Sequence, residues 1–402
     1  MKKSSSVIAA AVCVAMLTCA CTAPEDKEVN KEPAANTEQQ QTEEKEYQGK
    51  LNLIEPSAYN NVEGLGLEPG SYISMIGKDE GSQYWNEVKA GAEQAAEDIN
   101  EYLGYEGKDK IKVTYSAPAT ADNVDEQVNI LDEELARYPV ALGIAIADAS
   151  ACKVQFDLAA ESDIPIVAFD SGSDYQNLMA MVSTDNQAAA REAAGKLAQA
   201  IGDAGEIALF VHDSKSMTAV DRENAFKEEI QNNHPNITIS NIYHIDQLSE
   251  MQQIVADEIN AGTYQEEQTE EGEAHHDAEL VTADSITEEE VIDYIFSRHP
   301  DLKGCYATNG TAVKLMLDGI ERNEVKDMAI VGFDADEEEV EALEDGKIAG
   351  LIVQNPFGMG YATVIAAARA SLDMGNEAFV NTGYTWVTKD NLKEESVRKM
   401  LY

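Results

Sequence analysis

Eight residues stand out because each follows closely on a short apolar run and carries a side chain suited to holding a polar ligand. They are Ser82, Tyr84, Trp85, Asp148, Asp170, Asn309, Asp334 and Gln354. Carboxylates accept hydrogen bonds at several positions, amides donate and accept as a fixed pair, and aromatic rings cover apolar faces. These are the materials of reversible binding. Those of nucleophilic or metal-assisted catalysis are missing: the chain has no G-x-S-x-G, no H-E-x-x-H and no paired Cys/His motif. No G-x-G-x-x-G or Walker A sequence follows a strand-like run, which argues against nucleotide phosphates. Paired carboxylates could serve glycoside hydrolysis, but an enzyme is not the reading adopted, and no cofactor or metal is expected.

The runs that deliver these residues read as strands: Tyr72–Ile76, 111–115, 140–146, 164–169, 207–211, 237–243, 304–307, 328–333 and 348–353. Between them lie amphipathic stretches of helical length, 85–99, 124–136, 188–201, 218–231, 251–259, 289–297, 310–321 and 359–372. Strand–helix alternation means an α/β chain with parallel sheets covered on both faces. So many strands in one open sheet are improbable on size grounds, so two Rossmann-like lobes are expected. Ligands of such sheets sit beyond the carboxyl ends of the strands, where the eight residues lie.

The N-terminal part has a different character. Lys2 and Lys3 precede an apolar stretch, Val7–Leu17, that ends in small residues. This reads as a signal peptide over residues 1–20, too short for a permanent span. Leu17-Thr18-Cys19-Ala20-Cys21 resembles a bacterial lipobox with Cys21 as the lipidated residue. Residues 21–69 are expected to form a flexible tether, because the stretch up to about Gln48 is rich in Glu, Gln, Lys, Asn and Pro and poor in large apolar side chains. The expected location is the extracytoplasmic face of a bacterial membrane.

Charge narrows the partners. The 402 residues include 29 Lys+Arg and 75 Asp+Glu, a net charge of −46, which disfavours nucleic acid and anionic lipid headgroups. Residues 264–290 hold eleven acids with His275 and His276 and no Lys or Arg; they read as a solvated inserted loop. Cys152 and Cys305 read as buried small hydrophobes.

Several short strings, in order, carry a resemblance: Tyr84-Trp85 before Val88-Lys89-Ala90-Gly91-Ala92; Ile164-Pro165-Ile166-Val167-Ala168-Phe169-Asp170; Val182-Ser183-Thr184-Asp185-Asn186; Thr308-Asn309-Gly310; Val331-Gly332-Phe333-Asp334; Gln354-Asn355-Pro356; and Val387-Thr388-Lys389-Asp390-Asn391. From about Gly70 onward the chain resembles the type I periplasmic-binding-protein family, in particular the ribose/galactose-type substrate-binding lipoproteins of ABC importers. The resemblance implies a periplasmic-binding-protein-like I fold: two lobes joined by a three-crossover hinge, with the ligand in the cleft between them. The crossings fall near Ser183–Asn186, Gln354 and Asn381. The N-terminal lobe is then 70–184 plus 355–380, and the C-terminal lobe 185–353 plus 381–402. It further implies a sugar-like ligand, an ABC permease as partner, aromatic contacts from Tyr84 and Trp85, and hydrogen bonds from Asp170, Asn309, Asp334 and Gln354. Ser82 and Phe357 are weaker candidates. The family's arginine positions hold Ser171 and Val220, its polar residue near Ala145 is absent, and Arg222 aligns with a neighbouring arginine instead of the ligand-binding one. Asp148, Asp170 and Asp334 would then be poorly neutralised, which implies a neutral or cationic ligand. His212, Asp213 and Thr218 are possible substitutes. A ligand-sensing subunit reporting to a membrane kinase or chemoreceptor would use the same cleft. Sugar-responsive repressors share the fold but need a basic DNA-binding head, which this N-terminus does not supply.

Overall fold

The computed structural model describes residues 45–264 and 280–402. The signal segment, Cys21, most of the tether, and the pair His275 and His276 lie outside the described residues.

Among the described residues twelve strands form two sheets. The first sheet holds β1 (Tyr72–Ile76), β2 (Lys112–Ser116), β3 (Ala141–Ile144), β4 (Ile166–Phe169), β5 (Met181–Ser183) and β11 (Phe379–Asn381), in the order β11-β5-β4-β3-β1-β2. All of its pairings are parallel. The second holds β6 (Gly205–Val211), β7 (Ile237–His244), β8 (Leu302–Ala307), β9 (Ala329–Phe333), β10 (Gly350–Gln354) and β12 (Tyr384–Val387), ordered β12-β10-β9-β8-β6-β7, with only β12 antiparallel. The chain passes from sheet to sheet after β5, after β10 and between β11 and β12. The interior strands β3, β4 and β10 are buried along their whole length, as expected where helices cover both faces.

Within the first lobe the helices Gln83–Leu103 and Pro356–Ser371 touch backbone to backbone. A Cβ on Gly91 would lie 1.9 Å from the Phe357 carbonyl oxygen, and one on Gly360 would lie 1.9 Å from that of Val88. Only glycine allows that approach. The contact fixes the helix whose first turn carries Tyr84 and Trp85.

The tether expectation is corrected from Lys45 onward. Leu51, Ile54, Tyr59, Leu65 and Leu67 are all buried in the first-lobe core. The segment also crosses the hinge: Glu55 bridges to Asn381, the Lys50 carbonyl accepts from Asn355 Nδ2 at 2.8 Å, and Leu53 packs against the second-lobe core. Its apolar side chains are irregularly spaced, so no helix or strand period marks them.

Two helices, Lys153–Glu161 and Glu337–Asp345, and the hinge strands β5, β11 and β12 add to the elements read from the sequence. Cys152 and Cys305 are buried free thiols in separate cores. Among the described residues no helix is long and apolar enough to cross a membrane.

Candidate ligand-binding cleft

The first-lobe wall is built at the end of β4. Asp170 has φ +56°, a left-handed conformation that aspartate tolerates better than most residues. Its Oδ1 accepts from the Tyr84 hydroxyl at 2.9 Å, and its Oδ2 lies 3.1 Å from Lys78 Nζ. Lys78 is only 5% exposed, so its charge requires that partner. Burial opposes the charge, but Asp170, then Asp122 and Asp213, outweigh it and raise the lysine above its ordinary pKa. Tyr84 stands at the start of a helix capped by Ser82, whose Oγ accepts from the Trp85 N–H at 3.4 Å. Trp85 meets Tyr84 edge-on at 5.1 Å and leans on Phe169, partly as core. Burial first, then Asp170, pushes the Tyr84 hydroxyl well above the usual tyrosine value, so it remains a donor.

The second-lobe wall repeats the motif after β9. Asp334 has φ +79°. Its Oδ2 accepts from the Gly310 N–H at 3.0 Å, and its Oδ1 from Gln354 Nε2 at 2.7 Å and the Tyr402 hydroxyl at 3.0 Å. Gln354 Oε1 in turn accepts from Thr184 Oγ1 at 3.0 Å and Arg222 Nη2 at 2.8 Å. Arg222 also donates to Asn186 Oδ1 and the Thr308 carbonyl, and lies 4.1 Å above the Phe333 ring. Burial raises the Asp334 carboxyl, opposed first by Arg222. Asn309 Oδ1 caps the helix Gly310–Arg322, and its amide NH2 has no protein partner among the described residues. The His212 N–H donates to Thr308 Oγ1, and that hydroxyl lies 2.6 Å from His212 Nδ1. Burial holds this histidine neutral, well below its ordinary pKa.

The lobes are drawn together over a cavity of about 150 Å³. On one flank Gln83 Oε1 accepts from the Glu337 N–H at 3.0 Å; on the other Ser171 Oγ accepts from the Met217 N–H at 3.1 Å. Ser82, Tyr84, Trp85, Asp170, Asn309, Asp334 and Gln354 all line the cavity, as do His212 and Thr218. Asp148 does not. It lies in a turn, where its Oδ1 accepts from the Ser150 N–H at 2.8 Å. Asp213 caps a helix start through Ser216, and Phe357 packs on Tyr47 outside the cavity. Ala145 is buried in the first-lobe core.

Two expectations about charge are corrected. Arg222, set aside as a neighbour of the ligand arginine, lines the cavity, and Lys78 supplies the cation that Ser171 does not. Lys78 follows β1 by two residues and so obeys the same strand-end rule that picks out Asp170. Tyr402 has no such signal. Carboxylates still prevail: Asp79, Asp122, Asp170, Asp334 and Asp336 face Lys78 and Arg222 across the lining.

The family model described as a periplasmic binding protein domain matches residues 73–265 and 267–373. The chain belongs to that family. Its fold is that of sugar-binding proteins of ABC transporters. A carbohydrate transporter solute-binding protein from Agrobacterium radiobacter, in complex with D-arabinose, is 25% identical with a TM-score of 0.64, over 83% of this chain and 99% of that one. An ABC transporter solute-binding protein from Agrobacterium vitis, bound with alpha-D-tagatopyranose, is 23% identical with a TM-score of 0.66, over 83% and 99%. A second from Agrobacterium vitis, with bound D-fucose, is 22% identical with a TM-score of 0.65, over 83% and 100%. No curated protein sequence gives a significant match.

Proposed function

We propose that the protein is an extracytoplasmic solute-binding lipoprotein that captures a small, neutral or cationic, sugar-like ligand and delivers it to an ABC importer. The observation that carries this reading is the pair of strand-end aspartates, one per lobe, facing a single cavity with a tyrosine hydroxyl on each. A cavity of about 150 Å³ is the size that admits one six-membered ring. A cavity of that volume suits a monosaccharide. The acidic lining favours hydroxyl or ammonium donors over carboxylate or phosphate. Tyr84 and Trp85 offer apolar surface to C–H faces. The signal segment and Cys21 support attachment through a lipid, with the permease in the same membrane.

The test is a thermal-shift screen with D-arabinose, D-fucose, D-tagatose, other polyols, amines and sugar phosphates. A ligand at a hundred times its Kd stabilises by about 2.7 kcal/mol, which reads as a clear upward shift. Stabilisation by neutral sugars or amines, with the sugar recovered chemically unchanged, is the expected result. A response confined to anions, or turnover of the sugar, would sink it. Cys21→Ser is expected to move the protein from the membrane to the soluble fraction.

A further inference from the structure

We infer that Tyr402 is a specificity-determining residue of the cleft, the second lobe's counterpart of Tyr84. This inference rests on the sugar-binding reading above. The residue reaches the cavity from the far end of the described chain and is held there. Met400 is buried in the second-lobe core with Val397 and Leu392, Leu401 packs against that core, and the Tyr402 N–H donates to the Ala335 carbonyl at 3.3 Å. Its hydroxyl donates to Asp334 Oδ1, as the Tyr84 hydroxyl donates to Asp170 Oδ1. The two rings meet across the lobes at 5.9 Å and 71°, forming an apolar corner between the two carboxylates. Both hydroxyls are spent on carboxylates, so the rings present carbon surface to a guest whose polar groups go to Asp170, Asp334 and Asn309. Tyr402 therefore does two things. It holds the Asp334 carboxylate in place through its hydroxyl, and it sets the space available beside the corner. A ligand with one more carbon at that edge meets the ring.

The test measures affinities of the whole protein for L-arabinose and D-fucose, which share their ring hydroxyl configuration and differ by one methyl group, by calorimetry, with wild type, Tyr402→Phe and Tyr402→Ala. Phe keeps the ring and loses the hydroxyl; binding of both sugars is expected to weaken by about tenfold with their order preserved. Ala removes the ring; the ratio of affinities is expected to move towards the larger sugar by about tenfold, the scale of one added carbon against a wall. Ligand-free melting curves show whether each variant is folded. If Tyr402→Ala does not fold, Tyr402→Leu makes the same comparison. Unchanged affinities, or an equal loss for both sugars on removing the ring, would overturn the assignment while leaving sugar binding intact. A wild-type protein that binds neither sugar, nor any other in the screen, would overturn the ligand class and this assignment with it.

Discussion

Asp170 and Asp334 hold left-handed backbone at the ends of buried strands, where a short polar side chain can turn into the gap between lobes. Their partners differ in consequence. Asp334 is held by neutral donors and lies within the field of Arg222, whereas Asp170 is directly paired with a buried lysine. Asp170→Ala is therefore expected to abolish sugar binding and to destabilise the ligand-free protein by about 3 kcal/mol, because Lys78 keeps its charge without a partner. Adding Lys78→Met should recover most of the melting temperature and none of the binding; recovery of binding would show that Asp170 acts only on Lys78. At this scale much of the site was legible. The rule that polar side chains just past a strand face the ligand finds Asp170, Asn309, Asp334 and Gln354, and also reaches Lys78 when applied after β1. It misleads at Asp148, where the strand ends early and the aspartate closes a turn. It has no purchase on Arg222, which projects from a helix interior, or on Tyr402, which follows no cleft-facing strand.

The helices Gln83–Leu103 and Pro356–Ser371 are positioned by close backbone contacts. Gly360→Ala would drive a methyl group into the Val88 carbonyl and push apart the helices Gln83–Leu103 and Pro356–Ser371. A loss of about 1–3 kcal/mol in chemical denaturation is expected, with weaker sugar binding because Tyr84 moves with its helix. Wild-type stability in that variant would show that the helix pair does not depend on this contact. A second element-scale effect is electrostatic. His244, at the end of β7, lies 2.8 Å from Glu223 on the helix Met217–Asn233, near Lys227 and Asp246. The hydrogen bond to Glu223 raises the histidine above its ordinary 6.5 despite burial, and pulls Glu223 down to about 2. The histidine's contribution is fully present below its unfolded value and fades as pH rises through the folded one; the carboxylate's is present above its unfolded value and is lost as pH falls towards about 2. His244→Gln should thus lower the melting temperature more at about pH 5.5 than at about pH 8.5. Long periodic helices and apolar strands were legible because many residues repeat one signal. The three-residue strands β5 and β11 are too short to show a period, and the glutamate-rich helix Glu337–Asp345 hides its apolar face behind charge, its capping box of Asp336 and Glu339 being the one local sign.

Across the whole molecule, hydrogen bonds at the flanks of the cleft join the lobes beside the Tyr84–Tyr402 ring contact. Gln83 and Ser171 reach to the Glu337 and Met217 amides of the opposite lobe, each worth about 1 kcal/mol. Replacing both by alanine should shift the ligand-free population towards open and raise the radius of gyration in solution scattering, with saturating sugar restoring the compact form. No change in scattering would place the control of closure elsewhere. The two-lobed plan was readable from strand–helix alternation, because each lobe repeats the same rhythm. The folded segment from Lys45 to Pro69 was not, since its apolar residues obey no period and gain meaning only from the surface they cover. That segment grips Asn355 and Asn381 at two of the crossings. A reporter dye fixed at Glu55 would therefore ride on the axle and barely travel as the jaws swing, whereas one at Val154 would sweep with its lobe, so the former can serve as a stationary reference for distance measurements of the stroke.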